Sequence, residues 1–137
     1  MDTVFLVSIL SALILLHLFL PTLRKPRPQR RSSVVRPRTK TELDVLIASP
    51  GAVVVMFMAD WCGHCQRSKP FFEAAPSQKS TLGMMNCDLL GDAVAGYGVG
   101  AYPTYVKYVA GKEVARMEGV LQSITEVTQF VRTGNTR

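Results

Sequence analysis

The chain has few cysteines, few histidines and a single tryptophan. Its 137 residues include three cysteines, at positions 62, 65 and 87, and two histidines, at positions 17 and 64. Three cysteines are too few to hold a disulfide-rich scaffold together. A zinc site built from one chain would need a second pair of ligands, which is missing here, although two chains could share a zinc or iron–sulfur site. The composition favours a redox role for the cysteines, with no metal and no bound cofactor.

Acidic residues are absent from one segment that holds half of the basic residues. Eight of the sixteen Lys and Arg residues lie between Arg24 and Lys40, with no acid among them. The chain from Thr41 onward carries eight basic and nine acidic residues. The basic pI therefore belongs to one segment, and it does not indicate a nucleic-acid-binding face on the fold.

Residues 4–20 form an apolar run that contains no charge. As a helix this run would reach about 25 Å, which is the short end of a transmembrane span. A cleaved signal peptide is the alternative. However, no positive charge precedes the run and no small-x-small cleavage site follows it. We expect an uncleaved transmembrane anchor over residues 1–23.

Residues 24–38 are basic and rich in proline, with almost nothing apolar. Such a segment buries too little surface to order itself, and its prolines favour extended conformations. We predict a semi-rigid linker whose charge attracts anionic membrane lipids. Nucleic-acid binding by this arm is less favoured, because the arm would lie next to the membrane.

Residues 39–137 show the patterns of an α/β domain. Capping-box spacing at residues 39–42 and 123–126 predicts the starts of the first and last helices of this domain. Pro70 should kink a helix over residues 62–75. Strands are expected over residues 52–59, 83–88, 104–109 and 113–117, and a short helix over residues 92–97. The order α-β-α-β-α-β-β-α, with room for a short strand before the first helix, predicts a mixed sheet with helices on both faces.

Two cysteines separated by two residues follow the first predicted strand, in the sequence Trp61-Cys62-Gly63-His64-Cys65. The strand brings them to the first turn of a helix, where free N–H groups and the helix dipole stabilise an anion. Cys62 is therefore predicted to be the attacking thiolate. Cys65, one turn along, is placed to resolve the mixed disulfide that Cys62 forms with a partner.

The other residues of this motif are expected to modulate the cysteines. Gly63 lets the chain turn tightly beside a bulky partner. His64 can carry positive charge next to the thiolate, which stabilises the reduced form and makes the disulfide more oxidising. Trp61 is expected to flank the site rather than to fill the core.

Two motifs resemble the thioredoxin superfamily. One is Met58-Ala59-Asp60-Trp61-Cys62-Gly63-His64-Cys65 followed by Pro70, and the other is Tyr97-Gly98-Val99-Gly100-Ala101-Tyr102-Pro103-Thr104. The Cys-Gly-His-Cys centre is most similar to the protein disulfide isomerase branch. The resemblance implies a thioredoxin fold and a protein disulfide oxidoreductase or isomerase-like enzyme. It also implies cysteine-containing protein substrates and a redox partner that resets the thiol pair.

The resemblance assigns roles to single residues as well. It implies that Cys62 and Cys65 form the redox-active disulfide. It implies that Pro103 is a cis-proline beside the cysteines, that the backbone of Tyr102 pairs with an extended substrate peptide, and that Thr104 completes this substrate-binding loop.

The chain departs from the family pattern where the second thiol loses its proton. The family usually has a buried acid six residues before the first cysteine, and Met56 occupies that position. A lysine that often faces the acid is replaced by Met84 or Met85. Arg116 is the nearest candidate for the arginine that disulfide isomerases carry before the last helix. We therefore expect slow resolution of the mixed disulfide by Cys65.

These observations leave two functional hypotheses. The first is a membrane-tethered thiol–disulfide oxidoreductase, and the alternative is a tethered module that binds clients near Tyr102 and traps them with slow thiols. Cys87, expected on a core strand, is predicted to be an inert buried thiol rather than a regulatory one.

The compartment is suggested by two conflicting signals. The Cys-Gly-His-Cys centre favours an oxidising lumen such as the endoplasmic reticulum, whereas the basic run after the apolar one favours a cytosolic domain by the positive-inside rule. We expect the domain on the lumenal or extracytoplasmic side, because the cysteine motif is the more specific signal.

Overall fold

The computed structural model describes residues 3–19, 33–77 and 79–136. The helices in these ranges are α1 (Thr3–Phe19), α2 (Lys40–Ile47), α3 (Gly63–Ala74) and α4 (Ile124–Thr133). The strands are β1 (Ala52–Met58), β2 (Ser80–Asn86), β3 (Thr104–Val109) and β4 (Lys112–Glu118). Two 3-10 helices, Cys87–Leu89 and Gly91–Tyr97, connect β2 to β3. From α2 onward, the elements follow the predicted order.

Helix α1 covers most of the predicted anchor, and its side chains from residue 7 to residue 16 are exposed. Among the described residues, no helix combines the length and the apolarity that crossing a membrane requires. Residues 20–23 of the predicted anchor and residues 24–32 of the predicted linker lie outside the described ranges. The anchor and the linker therefore stay predictions.

The four strands form one mixed sheet in the order β2-β1-β3-β4. β1 pairs with β2 in parallel and with β3 antiparallel, and β3 pairs antiparallel with β4. Residues 53–58 of β1 are all buried. β1 is a continuous apolar run because a central strand is covered on both sides. The pairing of the strands confirms the mixed sheet that the sequence predicted.

Successive residues of a strand point to opposite sides of the sheet, which divides the core into two clusters. We call the first the α3–α4 face; its buried residues include Met56, Cys65, Phe72, Tyr105 and Phe130. We call the second the α2 face; its buried residues include Leu43, Phe57, Met85, Cys87 and Tyr108. Each face therefore encloses one or more buried thiols and a buried tyrosine.

The first and last helices of the domain, α2 and α4, begin where the capping boxes predict. The side chain of Thr39 accepts a hydrogen bond from the N–H of Glu42 at 3.1 Å, and Ser123 accepts one from Glu126 at 3.2 Å. Each glutamate turns back toward an N–H before the cap, that of Arg38 in one case and that of Gln122 in the other. These bonds satisfy N–H groups that a helix start leaves without partners.

The domain extends further toward the N-terminus than the predicted boundary at residue 39. The N–H of Val35 donates to the carbonyl of Leu82, and the carbonyl of Val35 accepts from Met84, both at 2.9 Å. Val34 packs against the α3–α4 face and Pro37 is buried. The two valines interrupt the basic composition and add a single bridge to the edge of β2, so the strand expected before α2 is one residue long.

The second strand lies earlier than predicted. The expectation was residues 83–88, whereas β2 runs from Ser80 to Asn86. The side chain of Asn86 accepts a hydrogen bond from the N–H of Asp88 at 3.0 Å and starts a 3-10 helix at Cys87. The prediction that Cys87 lies on a strand was wrong, although Cys87 is buried.

Candidate active site

Cys62 and Cys65 lie at the start of α3, with both sulfurs free. Cys62 is the N-cap residue and has extended backbone angles, and its N–H donates to the carbonyl of Ala59 at 3.1 Å. The Cys62 side chain is 6 % exposed, whereas Cys65 is completely buried. One thiol therefore borders the surface, and the second lies behind it in the α3–α4 face.

The sulfur of Cys62 occupies the anion-stabilising position of the helix. Its Sγ accepts a hydrogen bond from the N–H of Cys65 at 3.2 Å. The first turn of α3 contains no acidic residue that would oppose a negative charge. A bond from an N–H to sulfur strengthens when the sulfur becomes a thiolate, and the helix dipole acts in the same direction. The geometry therefore suits Cys62 as the nucleophile.

Cys65 has the opposite environment. Burial raises the pKa of the Cys65 thiol well above its ordinary value, and its contact with Cys62 raises that pKa further. A contact with the backbone of Ala59 offsets only part of this effect. Because the thiolate is the reactive form, loss of the Cys65 proton is the difficult step for this site.

Two methionines lie on the same face as Cys65, where the resemblance implies an acid and a lysine. Met56 pairs in register with Met84 across β1 and β2, and both belong to the α3–α4 face. The register thus settles which methionine faces Met56, because Met85 points to the α2 face. Neither methionine can take up or supply a proton for Cys65.

Arg116 does not lie near the thiols. Its guanidinium forms an ion pair with Glu113 at 2.7 Å and donates to the carbonyls of Tyr97 and Gly98 at 2.8 and 2.9 Å. These partners border a cleft on the α2 side of the sheet. The suggestion that Arg116 assists Cys65 was therefore wrong, because β4 directs this side chain to the other face.

His64 is exposed and contacts Arg67 rather than Cys62. A guanidinium nitrogen of Arg67 lies 2.6 Å from Nδ1 of His64. A guanidinium can only donate, so in this arrangement Nδ1 of His64 is the acceptor. Arg67 thereby places a positive charge beside His64, and the charge expected on His64 itself stays a prediction. Both residues line a groove of about 640 Å³ together with Phe71, Val120 and Gln122.

The loop before β3 lies against Cys62. The Tyr102–Pro103 peptide bond is cis, as the resemblance implied. The Cys62 thiol donates to the carbonyl of Tyr102, with sulfur and oxygen 3.7 Å apart. Pro103 accepts from the N–H of Gly119 at 3.0 Å. The hydroxyl of Thr104, which is completely buried, donates to Ala101 at 2.7 Å, so its side chain supports the loop from inside.

Trp61 and Gly63 border the thiols on the outside. Trp61 is 71 % exposed, donates from Nε1 to the carboxylate of Asp88 at 3.1 Å and packs edge-to-face on Tyr102 at 5.9 Å. This position agrees with the expectation that Trp61 flanks the site. A Cβ placed on Gly63 would meet no atom within 4 Å, so the room beside Cys62 is open to a partner.

Two polar residues near Cys65 were not singled out by the sequence patterns. Ser68 lies one turn after Cys65 on α3 and is completely buried. Tyr105 lies beside Met56 across β1 and β3, in the same cluster as Cys65. The i, i+3 spacing could have indicated Ser68, whereas the position of Tyr105 depends on strand register.

Side chains that could bind a metal do not cluster in the part of the chain that the structure describes. Within residues 3–19, 33–77 and 79–136, no three His, Cys, Asp or Glu side chains come together in a group that could hold a metal ion. The described part of the chain thus presents Cys62 and Cys65 as a thiol pair, without further ligands around them.

Comparisons with known proteins find relatives of this chain. It is 37% identical over 79 residues to a thioredoxin-like protein of Fusarium culmorum, covering 54% of this chain and 65% of that protein. It is 37% identical over 84 residues to thioredoxin-1 of Saccharomyces cerevisiae, covering 60% and 82%. It is 36% identical over 77 residues to protein disulfide-isomerase A3 of Gallus gallus, covering 54% of this chain and only 15% of that protein.

The fold is also found among solved structures. The thioredoxin of Malassezia sympodialis superposes with a TM-score of 0.66 at 21% identity, covering 83% of this chain and 99% of that one. These relatives support thiol–disulfide oxidoreductase chemistry with a dithiol mechanism for the domain. The family model described as Thioredoxin matches residues 34–133, most of the chain, and the protein therefore belongs to the thioredoxin family.

Proposed function

We propose that this protein is a membrane-tethered thiol–disulfide oxidoreductase that exchanges disulfides with cysteine-containing proteins. The observation that carries the proposal is the position of Cys62, whose sulfur accepts the N–H of Cys65 and faces the carbonyl of Tyr102. This position combines a stabilised nucleophile with a backbone group that an incoming peptide can use.

The exchange runs in two steps. In the first, the Cys62 thiolate attacks one sulfur of a client disulfide, forms the Cys62–client disulfide and releases the other client sulfur as a thiolate. In the second, the Cys65 thiolate attacks Cys62 and releases the second client sulfur. Two electrons pass from the protein to the client, and the protein disulfide forms. A redox partner restores the dithiol, and the reverse sequence oxidises a client.

Two surfaces suit an extended client segment. One is the Tyr102 loop against Cys62, with the ring of Trp61 edge-on to it. The other is the groove that His64 and Arg67 line with Phe71, which offers a cation beside an apolar surface. We expect clients to place their backbone along the Tyr102 loop.

The full-length chain can be tested by redox titration in glutathione buffers, with thiol alkylation reporting the state of Cys62 and Cys65. A potential near about −180 mV, as for protein disulfide isomerase, would support an oxidant or isomerase; one near about −270 mV, as for thioredoxin, would support a reductase. If no disulfide forms in any buffer, the proposal fails.

The compartment of the domain also has two alternatives. We propose a lumenal or extracytoplasmic domain, as in the endoplasmic reticulum, supported by the Cys-Gly-His-Cys centre; the basic segment supports the cytosolic alternative. Protease treatment of sealed membrane vesicles that carry the full-length chain separates the two. A protected domain supports the lumenal placement, and a digested one supports the cytosolic placement.

The tether is the second untested part of the proposal. It consists of the predicted anchor over residues 1–23 and the predicted linker that binds anionic lipids, which runs from residue 24 to the start of the thioredoxin domain near Val34. Extraction of membranes with alkaline carbonate tests it, because an anchored chain stays in the pellet. Release of the full-length chain would remove the anchor from the proposal and leave the exchange chemistry untouched.

A client trap is the second candidate, and the burial of Cys65 beside two methionines favours it. In a trap the mixed disulfide lasts because Cys65 seldom ionises. The lifetime of the mixed disulfide in the natural chain and in Cys65→Ser distinguishes the two functions. Equal lifetimes indicate a trap, and a much shorter lifetime in the natural chain indicates an oxidoreductase.

A further inference from the structure

The second step of the exchange needs a thiolate at a completely buried sulfur. The α3–α4 face surrounds Cys65 with apolar side chains, among them Met56 and Phe72. Of its ionisable neighbours, Cys87 disfavours a negative charge on Cys65, and so does Cys62 while it is a free thiol. Stabilisation of this thiolate must therefore come from neutral polar groups.

Besides the backbone of Ala59, two side chains supply such groups, and Ser68 is one of them. It lies three residues after Cys65, so the two side chains share one face of α3. Its hydroxyl oxygen accepts a hydrogen bond from the N–H of Leu121 at 3.1 Å. This bond fixes the serine oxygen at the junction of α3 and the segment before α4. Ser68 thus makes a small polar site inside an otherwise apolar cluster.

Tyr105 supplies the other side-chain group, and its hydroxyl is unusual because it is buried without a hydrogen-bond partner among the described residues. The side chain is completely buried, and its ring is clamped between Phe72 at 5.8 Å and Phe130 at 6.3 Å. Its oxygen has no hydrogen-bond partner. A buried hydroxyl without a partner costs about 1–3 kcal/mol, and native cores seldom retain one without a reason.

The surroundings of this hydroxyl indicate what it faces. Burial raises the pKa of Tyr105 to about 12, with Cys65 and Cys62 raising it as well, while Ser68 and the backbone of Leu121 lower it. The phenol therefore keeps its proton at neutral pH. Its O–H, which no acceptor holds, is free to turn toward a charge that develops nearby.

We propose that Tyr105 is a positioning residue for the resolving step, whose O–H, set beside Ser68, turns toward the Cys65 thiolate and stabilises it. This inference rests on the proposed function, because it concerns the second step of the same exchange. In the dithiol the hydroxyl has no partner, and the thiolate provides one. An O–H dipole in a low-dielectric core acts strongly on a full charge beside it.

The chemistry balances without an added reagent. Cys65 gives up its proton, its sulfur attacks Cys62, and the disulfide between Cys62 and the client breaks. The client sulfur leaves with the electron pair of that bond and takes up one proton, so that one thiol is consumed and one is formed. Tyr105 remains a neutral phenol throughout and only lowers the energy of the intermediate thiolate.

The experiment follows both steps with 5,5′-dithiobis(2-nitrobenzoate) on the full-length chain in detergent. Stopped-flow absorbance records one thionitrobenzoate when Cys62 attacks and a second when Cys65 resolves. For Tyr105→Phe we expect unchanged attack and resolution about threefold slower near pH 7. A pKa raised by about one unit lowers the thiolate fraction tenfold, and the greater nucleophilicity of the more basic thiolate returns part of that. The natural chain should match the variant's rate only at a lower pH.

Tyr108→Phe is the matched control, because Tyr108 is a buried tyrosine of the same strand on the α2 face. It should leave both steps unchanged. Thermal unfolding should show Tyr105→Phe to be at least as stable as the natural chain, since it loses a hydroxyl that had no partner. Equal resolution in Tyr105→Phe and the natural chain, or equal slowing of both steps, overturns the inference. Absence of any second release in the natural chain would instead count against the proposed exchange itself.

Discussion

The two faces of the sheet each bury a thiol and a tyrosine, yet only one of them is built around a reactive sulfur. On the α3–α4 face, Cys65 lies one turn behind Cys62 and gives its N–H to that sulfur. On the α2 face, Cys87 follows the end of β2 and its thiol donates weakly to the carbonyl of Met85 at 3.9 Å. Burial is common to both thiols, so burial alone does not decide which one takes part in exchange.

The difference lies in what each thiol can reach. Cys65 has a second sulfur within one helical turn, and that sulfur borders the surface beside Gly63 and the Tyr102 loop. The polar neighbours of Cys87 are the backbone of Met58 and Met85, the phenol of Tyr102 and the carboxylate of Asp88. Tyr102 thus lies between the two systems, since its carbonyl faces Cys62 while its ring packs against both faces of the core.

Removing one sulfur from each face should give the largest difference in exchange activity between the two faces. Cys62→Ser should lower disulfide exchange on the order of a thousandfold or more, because a serine hydroxyl does not ionise near neutral pH and cannot form the mixed disulfide. Cys87→Ala should change exchange less than about twofold, since it removes a small buried thiol that forms and breaks no bond in the exchange. Reduction of a model protein disulfide, followed by alkylation and mass spectrometry, measures both. A large loss in Cys87→Ala would contradict the inert role of that thiol.

Alkylation of the natural dithiol should separate the faces without any substitution. Burial raises the pKa of Cys87 to about 11, so at about pH 8 roughly one molecule in a thousand carries the Cys87 thiolate. We expect iodoacetamide to modify Cys62 about a hundredfold faster than Cys87, as measured by peptide mass spectrometry. Addition of guanidinium chloride should remove the difference. Comparable rates in the folded chain would show that Cys87 is accessible.

An acid placed on the α3–α4 face should speed the resolving step that takes place there. Met56→Glu gives Cys65 a proton acceptor, and we expect resolution of the mixed disulfide to become about tenfold faster near neutral pH. Met56→Gln is the matched control, because it has a similar shape and cannot titrate. Stopped-flow measurement of the second thiol release compares the two variants. Identical rates would show that the missing acid at position 56 does not limit resolution.

The same pair of variants gives a pH dependence of stability. The buried carboxyl of Met56→Glu should have a raised pKa, because burial disfavours its charged form. Relative to Met56→Gln, the stability that this carboxyl contributes in its neutral form is fully present below the unfolded pKa of about 4.3. It is lost as pH rises through the folded pKa. Denaturant unfolding between about pH 4 and pH 8 measures this loss.

The smallest effect should come from the α2 face. Asp44 accepts from Tyr97 at 2.6 Å and pairs with Lys40, and both partners hold the pKa of its carboxyl below the ordinary value. We expect Asp44→Asn to lower the free energy of unfolding by no more than about 1 kcal/mol near neutral pH, because the carboxylate is nearly half exposed. Exchange activity should not change.

The pH dependence of this variant follows from the lowered pKa. The contribution of Asp44 is present above the unfolded pKa of about 3.9 and is lost as pH falls through the folded pKa, so the two chains should converge in acid. Unfolding curves at several pH values test this. A constant difference in stability down to strongly acidic pH would assign the effect to something other than the carboxylate.

Local chemistry made much of this structure predictable. The caps at Thr39 and Ser123 are set by side chains within three residues, so their positions could be inferred from spacing. The same holds for the placement of Cys62 and Cys65 at a helix start. The cis bond before Pro103 was inferred from a resemblance, because no local rule on the residues alone distinguishes it from an ordinary turn.

The failures share a physical cause, which is that side-chain partners distant in sequence decided them. The end of β2 lies at Asn86, whose side chain donates to the carboxylate of Asp60, 26 residues earlier, at 2.8 Å. The side chain of Arg116 is held by carbonyls about eighteen residues away in sequence. Tyr105 is brought to Cys65 by the register between two strands. None of these partners can be read from periodicity.

The bond between the Cys62 thiol and the Tyr102 carbonyl makes the loop a sensor of oxidation. The S–H that this carbonyl accepts exists only in the dithiol. Once Cys62 enters a disulfide, the carbonyl loses its donor, and a backbone group without a partner away from water is unfavourable. An N–H from a passing peptide restores the bond. We therefore expect the loop to bind peptide backbone more tightly whenever Cys62 has lost its S–H, either as the thiolate or in a disulfide.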